Sequence, residues 1–196
     1  MIKAIIFDVG GVLIDYPWPK MIDHYLQYLD VDRKKLFAAM KQLNYEWQSG
    51  IIDESEYWNK IGRTLKTKLP QSESLWLEGF KKAYKEKDEI FILISLLKKK
   101  GYKIGLLSNT EAPVMNFLIE KQYEHFDVFI YSCAIGLVKP DRKIYEKTLK
   151  LLQVSPEEAI FIDDKEENVE GAKKIGIQGV LFKNSTQIEN LLKSLL

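Results

Sequence analysis

The stretch Ile2-Lys3-Ala4-Ile5-Ile6-Phe7-Asp8-Val9-Gly10-Gly11-Val12-Leu13 decides the fold. Its first part, Ile2–Asp8, packs Ile5, Ile6 and Phe7 side by side, ends on a carboxylate and is stopped by two glycines. A continuous apolar run of this kind reads as a central strand buried on both faces. Similar runs recur much later, at Lys103–Ser108, Val128–Ser132, Ala159–Asp163 and Gly179–Phe182. Helical patterns separate them: Val114–Lys121, Arg142–Leu152 with apolar Ile144, Leu149, Leu151 and Leu152, Asn168–Ile175 with Gly176 as its stop, and a closing Thr186–Leu195. Strands alternating with helices of about ten residues give βαβ units and a parallel sheet.

Residues 15–88 break that rhythm. They hold no convincing strand, and all four tryptophans (Trp18, Trp47, Trp58, Trp76) fall there. Asp53-Glu54-Ser55-Glu56 has the form of a capping box that opens a helix through Tyr57, Ile61 and Leu65. Pro70 marks a break, and Ser72 is placed to cap a further helix through Leu75, Leu77 and Phe80. The expected fold class is therefore α/β: a Rossmann-like parallel sheet with helices on both faces, in strand order 5-4-1-2-3, plus an inserted all-helical cap. Residues 1–14 and 89–196 make the sheet unit, and residues 15–88 make the cap.

Composition narrows the function. In 196 residues, 29 basic and 28 acidic side chains leave a net charge of +1, which lacks the strongly basic footprint of a nucleic-acid binder. The hydrophobic share of 46% suits a soluble globular chain. No stretch approaches the roughly 20 apolar residues of a membrane span. The four-residue apolar run before Asp8 is too short for a secretory signal, and the lone Cys133 cannot form an intramolecular disulfide. A reducing, cytoplasmic setting is expected. The lysines of 81–87 and 98–100 read as solvated helix faces.

Ligands of open α/β sheets bind outside the carboxyl ends of the strands. There the sequence sets Asp8, Ser108-Asn109 and Asp163-Asp164, and Lys139 lies in the loop Gly136-Leu137-Val138-Lys139-Pro140-Asp141. Clustered carboxylates suit Mg²⁺. An amine and backbone N–H groups suit a phosphoryl group.

These motifs, in order, resemble those of the haloacid dehalogenase superfamily: Phe7-Asp8-Val9-Gly10-Gly11-Val12-Leu13, Leu106-Leu107-Ser108-Asn109-Thr110, the Lys139-Pro140-Asp141 loop, and Ile160-Phe161-Ile162-Asp163-Asp164 with Asn168. The helical insertion after the first motif is similar to that family's type-1 cap. The form of the first two motifs is most similar to the branch of small sugar-phosphate phosphatases that includes α-glucose-1-phosphate phosphatases. The resemblance implies Mg²⁺-dependent hydrolysis of a small phosphorylated metabolite, a sugar phosphate for instance, by a monomer or homodimer. It makes Asp8 the nucleophile that forms an aspartyl-phosphate. It places Mg²⁺ between Asp8, the Gly10 carbonyl and Asp164, with Asp163 in support and Asn168 orienting the Asp164 loop. Ser108 and the Asn109 N–H would hold phosphoryl oxygens, and Lys139 would neutralise Asp8 together with the transferring group.

One position departs from the family. Most of its phosphatases carry a second Asp two residues after the nucleophile, as acid and then base; here that position is Gly10. General acid–base catalysis is worth about 10²–10⁴-fold, so turnover is expected to be slow unless Asp15, Glu111 or a water substitutes. Gly10 also admits a catalytically weak or inactive phosphate-binding regulatory protein as an alternative. A metal-free haloacid dehalogenase is disfavoured by the Asp163-Asp164 pair. Cys133 reads as a packed thiol, and His24 and His125 as surface or capping residues. Among Tyr16, Trp18, Tyr45 and Trp47, any that escapes the cap's core would line a substrate pocket.

Overall fold

Five parallel strands, β1 (Ala4–Phe7), β2 (Lys103–Ser108), β3 (Val128–Tyr131), β4 (Ala159–Asp163) and β5 (Gln178–Leu181), stand in the order β3-β2-β1-β4-β5. The computed structural model describes residues 1–15 and 18–193. It bears out the α/β class and the strand order, with β1 at the centre. All four β1 residues are buried, Ile5 and Phe7 in one apolar cluster and Ala4 and Ile6 in another. That two-sided burial is why the run carries no alternation.

Helices cover both faces. Helix α8 (Arg142–Leu152) and α9 (Glu166–Lys173) pack Ile144, Leu149 and Ala172 on the Ile6 face. Helices α5 (Asp88–Lys99), α6 (Ala112–Glu120) and α10 (Ser185–Leu192) lie in the Ile5 cluster. A four-residue helix, α7 (Ser132–Ile135), follows β3, and Gly136 ends it at φ +69°. The end of the predicted closing helix, Leu195, lies outside the described residues.

Between β1 and α5 come four helices: α1 (Trp18–Tyr25), α2 (Arg33–Gln48), α3 (Glu54–Leu65) and α4 (Leu75–Ala83). Asp53 caps α3 by accepting from the Glu56 N–H at 2.7 Å. The cap of α4 is Ser74, not Ser72: the Ser74 hydroxyl accepts from the Leu77 N–H, whereas Ser72 Oγ donates to the side chain of Glu78 in the first turn. A hydroxyl can cap only where its residue immediately precedes the helical turn. The four helices close on an aromatic cluster in which Trp76 meets Trp18, Tyr25, Trp47, Tyr57 and Trp58 at centroid separations of 5.3–6.4 Å. Among the described residues no helix is long and apolar enough to cross a membrane.

Candidate active site

Register sets the site. Phe7 is level with Leu106 on β2 and Ile162 on β4, so the next residue of each strand reaches the carboxyl edge in one row: Asp8, Leu107 and Asp163. A single buried ammonium spans that row. Lys139 Nζ donates to Asp8 Oδ1 at 2.6 Å, to the Leu107 carbonyl at 2.9 Å and to Asp163 Oδ2 at 2.7 Å. Its side chain is 1% exposed.

Two amides hold this arrangement. Asn109 Oδ1 accepts from the Lys139 N–H at 2.8 Å while Asn109 Nδ2 donates to the Lys139 carbonyl at 2.9 Å. The side chain of Asn109 thus pins the lysine loop, a task that its expected backbone role does not cover. Asn168 Nδ2 donates to both oxygens of Asp163 at 3.0 Å, and the Lys165 N–H donates to Asp163 Oδ1 at 2.8 Å. Asn168 therefore orients Asp163 rather than Asp164. The helical turn after β4 points its Nδ2 back onto the strand end. Asp163 is fully engaged.

Asp164 is different. Its Oδ1 is buried and has no hydrogen-bond partner among the described residues. Carboxylate oxygens of Asp8, Asp163 and Asp164 lie within 4.8 Å of one another, three acids against one buried ammonium. Burial pushes the Asp8 carboxyl up to about 7, opposed by Lys139 and assisted by Asp163 and Asp164. Burial, then Asp163, also raises Asp164. Burial by itself would lower the Lys139 ammonium, but Asp8 and Asp163 overcome it and hold its pKa above the usual lysine value. A buried surplus of negative charge with an orphaned oxygen fits a divalent cation.

The cavity above Asp8 encloses about 90 Å³. Asp8, Gly10, Ser108, Asn109, Lys139 and Asn168 line one end. Of the carboxylates considered as replacement acids, Glu111 lines this cavity and Asp15 does not; Asp15 faces a separate hollow with Lys85 and Ser185. Trp18 also lines it. Tyr45 is instead exposed, because it sits on the outer side of α2, and Trp47 is buried against Tyr57. Tyr16 lies outside the described residues.

Other expectations are corrected. His24 is a buried residue, 2% exposed and packed edge-on to Tyr25 and Tyr28, because it faces α4 and not solvent. Lys87 leaves its solvated run to donate to the Gly11 carbonyl over the Phe182 ring. Cys133 is half-buried beside Met115, and burial pushes its thiol up to about 11, so it is a packed thiol. Gln48, Trp76, Phe80 and Lys165 line the cavity without having been singled out. In a helical run, spacing does not separate a pocket aromatic from a core one.

A family model described as haloacid dehalogenase-like hydrolase matches residues 2–176. A sesquiterpene phosphatase of Aspergillus oryzae is 31% identical over 187 residues, covering 93% of this chain and 91% of that protein. The D-ribitol-5-phosphate phosphatase of Bacteroides thetaiotaomicron is 25% identical over 190 residues, covering 91% and 90%. Among solved structures, a HAD family enzyme of B. thetaiotaomicron superposes with a TM-score of 0.82 at 20% identity over 97% of this chain and 98% of that one. The same enzyme solved with magnesium and inorganic phosphate gives a TM-score of 0.77 at 21% identity, over 93% and 95%.

Proposed function

The chain belongs to the haloacid dehalogenase-like hydrolases, and from that membership we propose that it is a Mg²⁺-dependent phosphatase that cleaves a small phosphomonoester through an aspartyl-phosphate on Asp8. The observation that carries this reading is the clamp of Lys139 on Asp8 and Asp163 beside an unpartnered Asp164 oxygen. Two phosphatases align over nearly the whole chain, which supports a phosphate ester as substrate. The Asp163-Asp164 pair disfavours metal-free dehalogenation.

In the first half-reaction an Asp8 oxygen bonds to phosphorus as the ester P–O bond breaks. The electron pair leaves on the alcohol oxygen, which takes a proton from water because Gly10 offers none. In the second, a water oxygen bonds to phosphorus and the Asp8–phosphorus bond breaks, which restores the carboxylate and releases inorganic phosphate and a proton. Lys139 offsets the charge of Asp8 and of the transferring group, while Ser108 Oγ and the Asn109 N–H receive phosphoryl oxygens. Asp8, the Gly10 carbonyl and Asp164 would hold Mg²⁺, which when bound screens the dianion from the anionic nucleophile. Asp163, whose oxygens are taken by Lys139, Asn168 and Lys165, holds the lysine. Residues 15–88 act as a cap over the residues 1–14 and 89–196 that carry these groups, and their closure excludes water.

The test is hydrolysis of p-nitrophenyl phosphate by the purified chain with Mg²⁺. Turnover that EDTA abolishes and fresh Mg²⁺ restores, with none in Asp8→Asn, is expected. Turnover surviving in Asp8→Asn would overturn the assignment.

A further inference from the structure

The cavity also holds polar groups that the phosphatase chemistry leaves unused. Glu111 lies three residues beyond β2 at the start of α6, is 5% exposed and lines the same cavity as Asp8. Gln48 Nε2, from the end of α2, donates to its Oε1 at 3.1 Å. No ion pair reaches the Glu111 carboxyl among the described residues. The Trp76 indole N–H lies close enough to pull on the same carboxyl, yet this buried donor completes no hydrogen bond among the described residues. A buried acceptor and a buried donor thus converge where a ligand atom could satisfy both. Most buried polar groups in folded proteins have a hydrogen-bond partner.

Gln48 Nε2 also reaches the Asn109 carbonyl at 3.5 Å, which ties Glu111 to the loop after β2. The charge of Glu111 is felt by Tyr25 and Tyr57 in the cap helices and by Cys133. The rest of the lining mixes apolar Ile14, Trp18, Met21, Phe80 and Val114 with polar Thr110 and Lys165.

Resting on the phosphatase reading, we infer that Glu111 and the Trp76 indole N–H together receive one hydroxyl group on the leaving alcohol, so that the preferred substrate is the monophosphate of a small diol. A hydroxyl donates to Glu111 and accepts from Trp76 at once. An ammonium satisfies only the first, and an alkyl chain neither.

The experiment compares kcat/KM, with Mg²⁺ present, for straight-chain alkyl phosphates of three to five carbons, their ω-hydroxy analogues and their ω-amino analogues. The hydroxy ester is expected to exceed its alkyl parent by about tenfold or more at one chain length. That ratio should fall toward one in Glu111→Ala and in Trp76→Phe, which removes the N–H but keeps a ring, and should be largely kept in Glu111→Gln. A merely structural role would slow both esters together and leave the ratio intact. A wild-type ratio near one at every length, a ratio that survives Glu111→Ala, or a preference for the amino ester each overturns the inference. Failure of the phosphatase reading looks different: p-nitrophenyl phosphate and every alkyl ester would then be inert.

Discussion

Gly11 stands against Asp164 so closely that a Cβ on Gly11 would lie 2.3 Å from Asp164 Oδ2. Gly11 also has φ +84°, in the left-handed region that side chains adopt only at a cost. The first motif therefore reserves a glycine for the approach of an acid from the fourth strand end.

Gly11→Ala should accordingly damage the cation site before anything else. The left-handed conformation costs about 1–2 kcal/mol for a non-glycine residue, and the methyl group must displace Asp164. We expect a Mg²⁺ requirement raised at least tenfold in titrations of activity, with a modest loss of thermal stability. An unchanged Mg²⁺ titration would mean that Asp164 does not hold the metal.

Lys139 and Asp8 should respond oppositely in stability, although substituting either should abolish turnover. Lys139→Ala leaves Asp8 and Asp163 buried together without their shared ammonium. Breaking a buried pair from one side costs roughly 3–5 kcal/mol. Asp8→Asn removes a carboxyl that burial already pushes up to about 7, and it leaves Lys139 paired with Asp163. Urea unfolding without metal should place Lys139→Ala well below wild type and Asp8→Asn near or above it.

Much of this was legible in the amino-acid sequence. An uninterrupted apolar run ending in Asp8 admits only a buried strand, and the parallel sheet then forces the other strand ends to the same edge. Side-chain direction was less accessible. Asn168 bonds Asp163 and not its neighbour because the turn after β4 aims Nδ2 backward. The second task of Asn109 depends on a loop thirty residues away. Leu75 and Trp76 are adjacent apolar residues that are both buried, so only the packing of α4 shows that Trp76 faces the cavity.

Glu111 should make stability depend on pH. Burial pushes its carboxyl up to about 7, against the pull of the Gln48 amide and, more weakly, of Lys165. The folded chain holds this proton more tightly than the unfolded chain, where the value is 4.5. The associated stability is present below about pH 4.5 and is lost as pH rises through about 7. Glu111→Gln lacks that loss. Its stability relative to wild type should rise by about 3 kcal/mol between pH 4.5 and 8, measured by urea unfolding without metal. Asp8 titrates in both proteins and cancels. A difference independent of pH would show that folding leaves the Glu111 pKa where it is in the unfolded chain.

Gly10 should set the rate. Asp8, the proposed nucleophile, has no carboxylate two residues on, so water would be activated without a placed base, and breakdown of the aspartyl-phosphate should be the slower half-reaction. A nitrophenolate leaves without an acid, so rapid quench with p-nitrophenyl phosphate should show a burst approaching one equivalent before slow steady turnover. The site has room for the missing group: a Cβ on Gly10 meets nothing within 4 Å, and Gly10 is not among the residues with positive φ. Gly10→Asp should therefore fold normally and raise the steady rate, by up to about 10²-fold if the new carboxylate reaches the attacking water. The burst should shrink as the second step quickens. Without a wild-type burst, formation of the aspartyl-phosphate would be limiting. A folded, Mg²⁺-binding Gly10→Asp protein that is slower than wild type would show a site rebuilt around glycine, with proton transfer managed by another group in the cavity.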